Sequence, residues 1–188
     1  GIGARDLEAL ATGVDPEGRP VLWLGDIGDN RDSWPSVRLH AIREPVRLVD
    51  QEVGSTTYEF NYPGGGTNAE SILADPDRAR VWVVTKGLLG GEVFRVPLST
   101  SRVTTAVRVT GGVGGLTTDA AMSPDGSRFV IRDYLRARLY DAPVTAANLE
   151  RPTPVALPFQ ELDEAVTFTR DGTALLVASE GERALWSV

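Results

Sequence analysis

Four times along this chain an acidic segment runs into a tight turn, then an apolar strand, then a short alternating stretch, and few folds tolerate that recurrence. The turns are Asp15-Pro16-Glu17-Gly18, Asp75-Pro76-Asp77-Arg78, Ser123-Pro124-Asp125-Gly126 and Thr169-Arg170-Asp171-Gly172, spaced by about 60, 48 and 46 residues. Proline presets φ at the second turn position, aspartate bonds back to the backbone, and glycine accepts positive φ, so each reads as a hairpin. Each turn leads into a short run that is apolar on both faces: Val21-Leu22-Trp23-Leu24, Val81-Trp82-Val83-Val84, Phe129-Val130-Ile131 and Ala174-Leu175-Leu176-Val177. Such runs predict strands covered on both sides. The alternating stretches SVRLHAIREP, EVFRVPL, ARLYDAP and ALWSV follow as third strands.

A period of roughly 45 residues with four strands per unit predicts propeller blades rather than helical or leucine-rich repeats. Outer strands are expected at 56–60, 103–109 and 153–157, and one short helical turn near 145–149. The fold class is therefore all-β, a β-propeller with four recognisable four-stranded blades at about 4–62, 66–110, 115–159 and 161–188, forming part of a five- or six-bladed ring. The last unit stops in a third strand, and an unpaired sheet edge invites association. Closure of the ring is thus expected from the remainder of a longer chain or from another copy.

At 188 residues one domain is expected, and without cysteine it has neither disulfides nor thiolate chemistry. A net charge of −7 argues against nucleic acid as a partner, because phosphate contacts need a basic stripe. No apolar run is long enough to predict a membrane span. Lys86 is the only lysine.

Aligned on the turns, the first strands place Glu8, Glu70, Asp119 and Glu164 at nearly one height. Asp119 lies one residue closer to its turn and Glu8 two farther. Because inner strands line a propeller's channel, these acids predict an acidic ring. A second layer consists of Asp26, Lys86, Asp133 and Glu180, again with the third blade one residue out. Strand side chains alternate faces, so a one-residue slip without a bulge points Asp119 or Asp133 elsewhere. Clustered carboxylates call for a cation or a proton, and calcium takes such oxygen ligands. Acids at strand entrances also cap loops and tie neighbouring blades together.

The densest polar cluster is Gly25-Asp26-Ile27-Gly28-Asp29-Asn30-Arg31-Asp32, which lacks the spacing of a helix-loop-helix calcium site. Asp26, Asp29 and Asn30 join the ring acids as candidate metal ligands, with an Asx-rich turn as the alternative. Nucleophilic catalysis has little to work with. His40 is the only histidine and lies on an alternating strand, facing solvent or a neighbouring blade, and no nucleophile elbow is present. No catalytic residue is therefore named. Lys86, Arg132 or Arg136 are available to clamp an anion. Asp133, Glu180 and Trp34, an aromatic beside the polar loop, complete the candidate ligand contacts. Trp23, Trp82 and Trp186 are expected to pack between blades. The runs Gly64-Gly65-Gly66 and Gly111 to Gly115 precede first strands, so they read as crossovers rather than phosphate cradles.

The segments DLEALATG with LWLGDIGDNR, NAESILADP with VVTKG, TDAAMSPDG with IRDY, and DEAVTFTRDG with ASEG resemble secreted bacterial β-propeller proteins of unknown function. They are loosely similar to phytase-like and esterase-like propellers. That resemblance implies export to the exterior or the cell envelope, an additional blade before the first, and a calcium requirement met by Glu8, Asp26, Asp29, Glu70 and Glu164. The expected function is an extracellular binding or scaffold module for a small-molecule or protein ligand, with an acidic, calcium-binding channel. A calcium-dependent phosphoesterase is the alternative.

Overall fold

In the computed structural model, which describes residues 2–158, 163–181 and 183–188, each of the four turns closes an antiparallel hairpin. Gly18 N donates to Asp15 O at 2.8 Å, Gly126 N to Ser123 O at 2.9 Å, and Gly172 N to Thr169 O at 2.8 Å. These glycines sit at φ of 76°, 67° and 69°, where an L side chain is strained. The second turn has Arg78 in that slot and is held differently: Asp75 Oδ1 accepts the backbone N–H groups of Asp77 and Arg78.

The first blade contains β1 (Leu7–Val14), β2 (Pro20–Asp26), β3 (Val37–Arg43) and β4 (Ser55–Asn61). The second contains β5 (Ala69–Ala74), β6 (Val81–Thr85) and β7 (Glu92–Val96). The chain then places β8 (Thr104–Thr105) parallel to β4 before β9 (Val107–Gly111) completes the second blade. The third contains β10 (Thr117–Met122), β11 (Arg128–Asp133), β12 (Ala137–Asp141) and β13 (Thr153–Val155), with a single turn of helix, α1 (Ala146–Leu149), capped by Thr145. The fourth contains β14 (Asp163–Phe168), β15 (Leu175–Ser179) and β16 (Leu185–Ser187). These four sheets form a β-propeller arrangement, with inner strands β1, β5, β10 and β14 side by side in that order. No helix among the described residues is long and apolar enough to cross a membrane.

The core consists of junctions between sheets. Trp23, Leu39, Phe60, Ile72 and Val83 fill the first junction; Leu73, Trp82, Ile131 and Tyr140 the second; Val130, Val166 and Val177 the third. Trp23 and Trp82 are buried at corresponding strand positions. Trp186 differs from the expectation: it is 45% exposed, because β16 is the outermost strand of its sheet among the described residues. Of the two placements expected for His40, the solvent-facing one is excluded: it is buried beside Asp26.

Between the first and fourth blades no apolar cluster forms among the described residues. Their strands instead border a cavity of about 740 Å³ that runs along the channel and opens into this sector.

Candidate channel-mouth site

Each inner hairpin slips register once, between Leu7 and Ala9, Ala69 and Ser71, Thr117 and Asp119, and Asp163 and Ala165. The four positions that the strand register skips are thus Glu8, Glu70, Thr118 and Glu164. A bulge re-aims one side chain while the strand on either side keeps its pairing. The acidic position of the repeat is therefore a bulge, and in the third blade it holds Thr118. Asp119 sits one place further on, opposite Arg132.

That single place changes what Asp119 does. Its Oδ2 accepts Val166 N from the neighbouring blade at 2.7 Å and its Oδ1 accepts Ala120 N at 2.8 Å. Burial pushes its pKa up to about 7, although two backbone donors and the Arg132 guanidinium favour its charge. It is an inter-blade clasp. Arg132 is fully buried and donates through Nη1 to Ala165 O at 2.7 Å, which removes it from the anion-clamping role.

The second layer also realigns. Pairing puts Asp26, Thr85, Asp133 and Ser179 in one equivalent place, opposite the residue before each bulge. Lys86 and Glu180 fall one place later, with Ile27 and Tyr134. Asp26 Oδ1 accepts Arg5 N at 2.8 Å and Asp6 N at 2.7 Å, and so anchors the approach to β1. Its Oδ2 lies 3.9 Å from His40 Nε2, both atoms being buried without a hydrogen-bond partner. Burial lowers the His40 pKa, against the pull of Asp26. Asp133 Oδ1 accepts Leu135 N and Arg136 N, and its Oδ2 pairs with Arg138 at 2.7 Å, so it caps the turn into β12.

The polar loop after β2 is satisfied largely from within and from the next blade. Asp29 is buried; its carboxylate accepts Ser33 N, Ser33 Oγ and Trp34 N, and these donors outweigh burial to lower its pKa. Asn68 stitches the loop to β5: its Oδ1 accepts Asp29 N at 2.8 Å, its N–H goes to Asp32 Oδ1 at 2.9 Å, and its Nδ2 reaches Asn30 Oδ1 at 3.3 Å. A Cβ at Gly66 would collide with the Asp32 carbonyl, so the crossover must be glycine there. Trp34 is 41% exposed and lies under the Arg5 guanidinium, 4.4 Å from its ring centroid.

Three bulge acids come together at one end of the channel with groups the sequence did not single out. Glu70 Oε2 pairs with Lys86 Nζ at 2.6 Å, and Lys86 also donates to Tyr134 Oη at 2.8 Å. The Lys86 pKa is raised by Glu70 and Tyr134, although burial acts to lower it. Glu8 is pushed up to about 7 by burial, then by the charges of Glu70 and Asp6, with a hydrogen bond to the Asp6 carboxyl. Glu164 is raised by burial and by its hydrogen bond to Glu180, and feels Lys86 and Glu70 as well. Tyr134 shares the register place of Lys86 and Glu180, the one signal by which it was discoverable. Asp6 had none.

The mouth therefore holds Asp6, Glu8, Glu70, Glu164 and Glu180 around one ammonium group. Burial, neighbouring negative charge and a carboxyl–carboxyl hydrogen bond raise the pKa of both Glu8, beside Asp6, and Glu164, beside Glu180. Of the other expected calcium ligands, Asp29 and Asp119 direct their oxygens at N–H groups, as Asp26 does through Oδ1, and no group of three or more His, Asp or Glu among the described residues is placed to hold a metal ion.

The chain matches no family model and no curated protein. Solved structures share its fold. A protein of unknown function from Desulfotomaculum acetoxidans is similar at 15% identity and a TM-score of 0.52, over 95% of this chain and 53% of its own. A putative 6-phosphogluconolactonase from Bacteroides fragilis is similar at 13% identity and 0.53, over 95% and 49%. A Polycomb Repressive Complex 2 structure from Chaetomium thermophilum, bound to GSK126, matches at 13% and 0.54, over 97% and 39%. This chain thus spans about half or less of each of these three structures. At these identities the likeness defines a class, the β-propellers, and carries no activity with it.

Proposed function

We propose that this chain is a binding module that takes a cationic group, an amine or guanidinium, at the acidic mouth of its channel. The observation that carries the reading is the placement of Glu8, Glu70 and Glu164 on three equivalent bulges, with Asp6 and Glu180 beside them and, among the described residues, Lys86 as the counter-charge they feel. Lys86 is committed to Glu70 and Tyr134. Glu8 and Glu164 also line the 740 Å³ cavity, whose remaining walls include Leu10, Leu24 and Leu176. A concave, mainly apolar site with a few convergent titratable groups is the usual form of a ligand pocket. A cation bearing an apolar body matches both parts.

A cation entering between Glu8 and Glu164 displaces the proton that Glu8 holds near neutral pH and favours the charged form of Glu164, whose pKa burial and Glu180 raise. Calorimetric titration with spermidine at pH 8 is expected to show binding that weakens toward pH 5, as Glu8 takes up its proton, and that is lost in the Glu8→Gln, Glu164→Gln double variant. Absence of binding at pH 8, or binding indifferent to both substitutions, would overturn the reading. A parallel calcium titration separates the metal-binding alternative: a melting temperature raised by calcium and not by spermidine would replace the organic cation by the ion.

A further inference from the structure

We infer that the cation taken at the channel mouth is the lysine or arginine side chain of a polypeptide, whose aliphatic neighbours lie on leucines exposed beside the mouth. This rests on the cationic-ligand reading and names the ligand as a protein segment. Leu88 and Leu89 stand on the turn between β6 and β7, 75% and 99% exposed, and Leu135 on the turn between β11 and β12, 81% exposed. Leu116, 37% exposed, lies on the crossover into β10. The second and third blades each have a blade of this chain on both sides, so the exposure is not that of an end blade.

The leucines are held in place by backbone. Leu116 N donates to Gly87 O at 2.8 Å, Gly112 N to Gly91 O at 2.8 Å, and Gly91 N to Gly114 O, which clamps both ends of the Leu88–Leu89 turn to the crossover. A Cβ at Gly87 would run into Gly90 O and one at Gly115 into Leu88 O, so backbone packs directly on backbone and the leucine side chains are left outside. Leu116 keeps a φ of +57° where Gly112 and Gly114 of the same crossover reach positive φ without a side chain. A side chain retained at a strained backbone position points to a use for that side chain. Apolar contacts fixed in advance also lose little freedom on binding.

The leucines adjoin the acidic mouth. Lys86, which donates to Glu70 and to Tyr134 Oη, precedes Leu88 by two residues, about 7 Å of chain at most, and Tyr134 directly precedes Leu135. Exposed apolar groups rimmed by polar ones mark contact surfaces. Side chains this exposed sit on projecting turns and not in a pocket, so a small organic cation leaves them in water. An anionic membrane surface would cover the leucines but is repelled by the acids beside them. A polypeptide meets both demands, with its cation between Glu8 and Glu164 and its aliphatic side chains a few residues away on Leu88, Leu89 and Leu135.

Calorimetric titration at pH 8 compares spermidine with two acetylated, amidated peptides, SLLRLS and SAARAS. SLLRLS is expected to bind roughly tenfold more tightly than SAARAS, the effect of burying about 55 Å² of apolar surface. The Leu88→Ser, Leu89→Ser double variant, altered only at exposed side chains, is expected to lower SLLRLS to the affinity of SAARAS while spermidine binding and the circular dichroism spectrum stay as they were. Leu135→Ser, on the other turn, is expected to act in the same direction, and the Glu8→Gln, Glu164→Gln variant to lose peptide and spermidine together. Spermidine bound with the two peptides alike, or SLLRLS binding indifferent to the leucine substitutions, would overturn the inference and leave the cationic-ligand reading standing. Absence of spermidine and peptide binding removes both. Flotation with phosphatidylcholine vesicles that depends on Leu88 and Leu89, with no preference between the peptides, would make this face a membrane contact and sink the polypeptide.

Discussion

Asp26 shows how much one carboxylate can hold in place. It is 1% exposed, and its Oδ1 is the acceptor for two consecutive backbone N–H groups that lead the chain into β1. Removing it leaves those two donors without their acceptor. Asp26→Ala is expected to destabilise the fold by about 2 kcal/mol in urea unfolding, the usual cost of orphaning buried donors, while Asp26→Asn recovers most of that loss through its remaining acceptor oxygen. Asp119 is comparable in kind and different in place, since it ties β10 to β14. Its role was not legible from spacing. A carboxylate one residue from the repeat position looks like a drifting ring member, and only the bulge at Thr118 shows that it belongs to another set.

Leu116, in the glycine-rich crossover before β10, carries local strain that the elements around it sustain. Its φ is +57°, a conformation that L side chains adopt at a cost of roughly 1 kcal/mol, and its N–H is held by Gly87 O at 2.8 Å. Leu116→Gly is expected to raise stability by about 0.5 kcal/mol, the strain relief less the entropy that glycine adds to the unfolded chain, measured by thermal melting. The hairpins themselves were legible element by element, because proline, aspartate and glycine act through local backbone geometry. The outer strands were legible in outline: those at Ser55–Asn61 and Thr153–Val155 lie where expected, and the second divides into β8, on the first blade, and β9. That division is a long-range pairing, which a local pattern does not encode. The second-layer residues were misaligned by one because β1 is two residues longer than the other inner strands.

The molecule as a whole should have an acidic stability optimum. Glu8 rises from its ordinary 4.5 to about 7 in the fold, and Asp119 from 3.8 to about 7. A carboxyl whose folded pKa is raised stabilises the fold fully below its ordinary value, and that contribution is lost as pH climbs through the folded value. Between about pH 4.5 and 7, stability therefore falls. Asp125 and Asp171 act in the opposite sense. Hydroxyl and backbone donors in their turns lower them to about 2, so their contribution is lost as pH drops from 3.8 toward 2. Melting temperature plotted against pH is expected to peak near pH 4 to 5. Glu8→Gln is expected to raise it at pH 8 and leave it nearly unchanged at pH 4; a profile that rises steadily from pH 4 to 8 would contradict this.

The fourfold recurrence was enough to determine an all-β propeller, since turn chemistry and apolar strand runs are properties of short segments. Even the acidic inner-strand position was visible as spacing. Which acids meet could not be read there. A bulge shifts a side chain by one place, and one place separates the channel mouth from a sheet interior, Glu164 from Asp119. The loop GDIGDNRD stands out in sequence because it is polar, yet folding turns its carboxylates onto its own N–H groups and onto Asn68. The site lies instead where four separate hairpins end together, around the chain's single lysine, and that convergence exists only once the blades have packed.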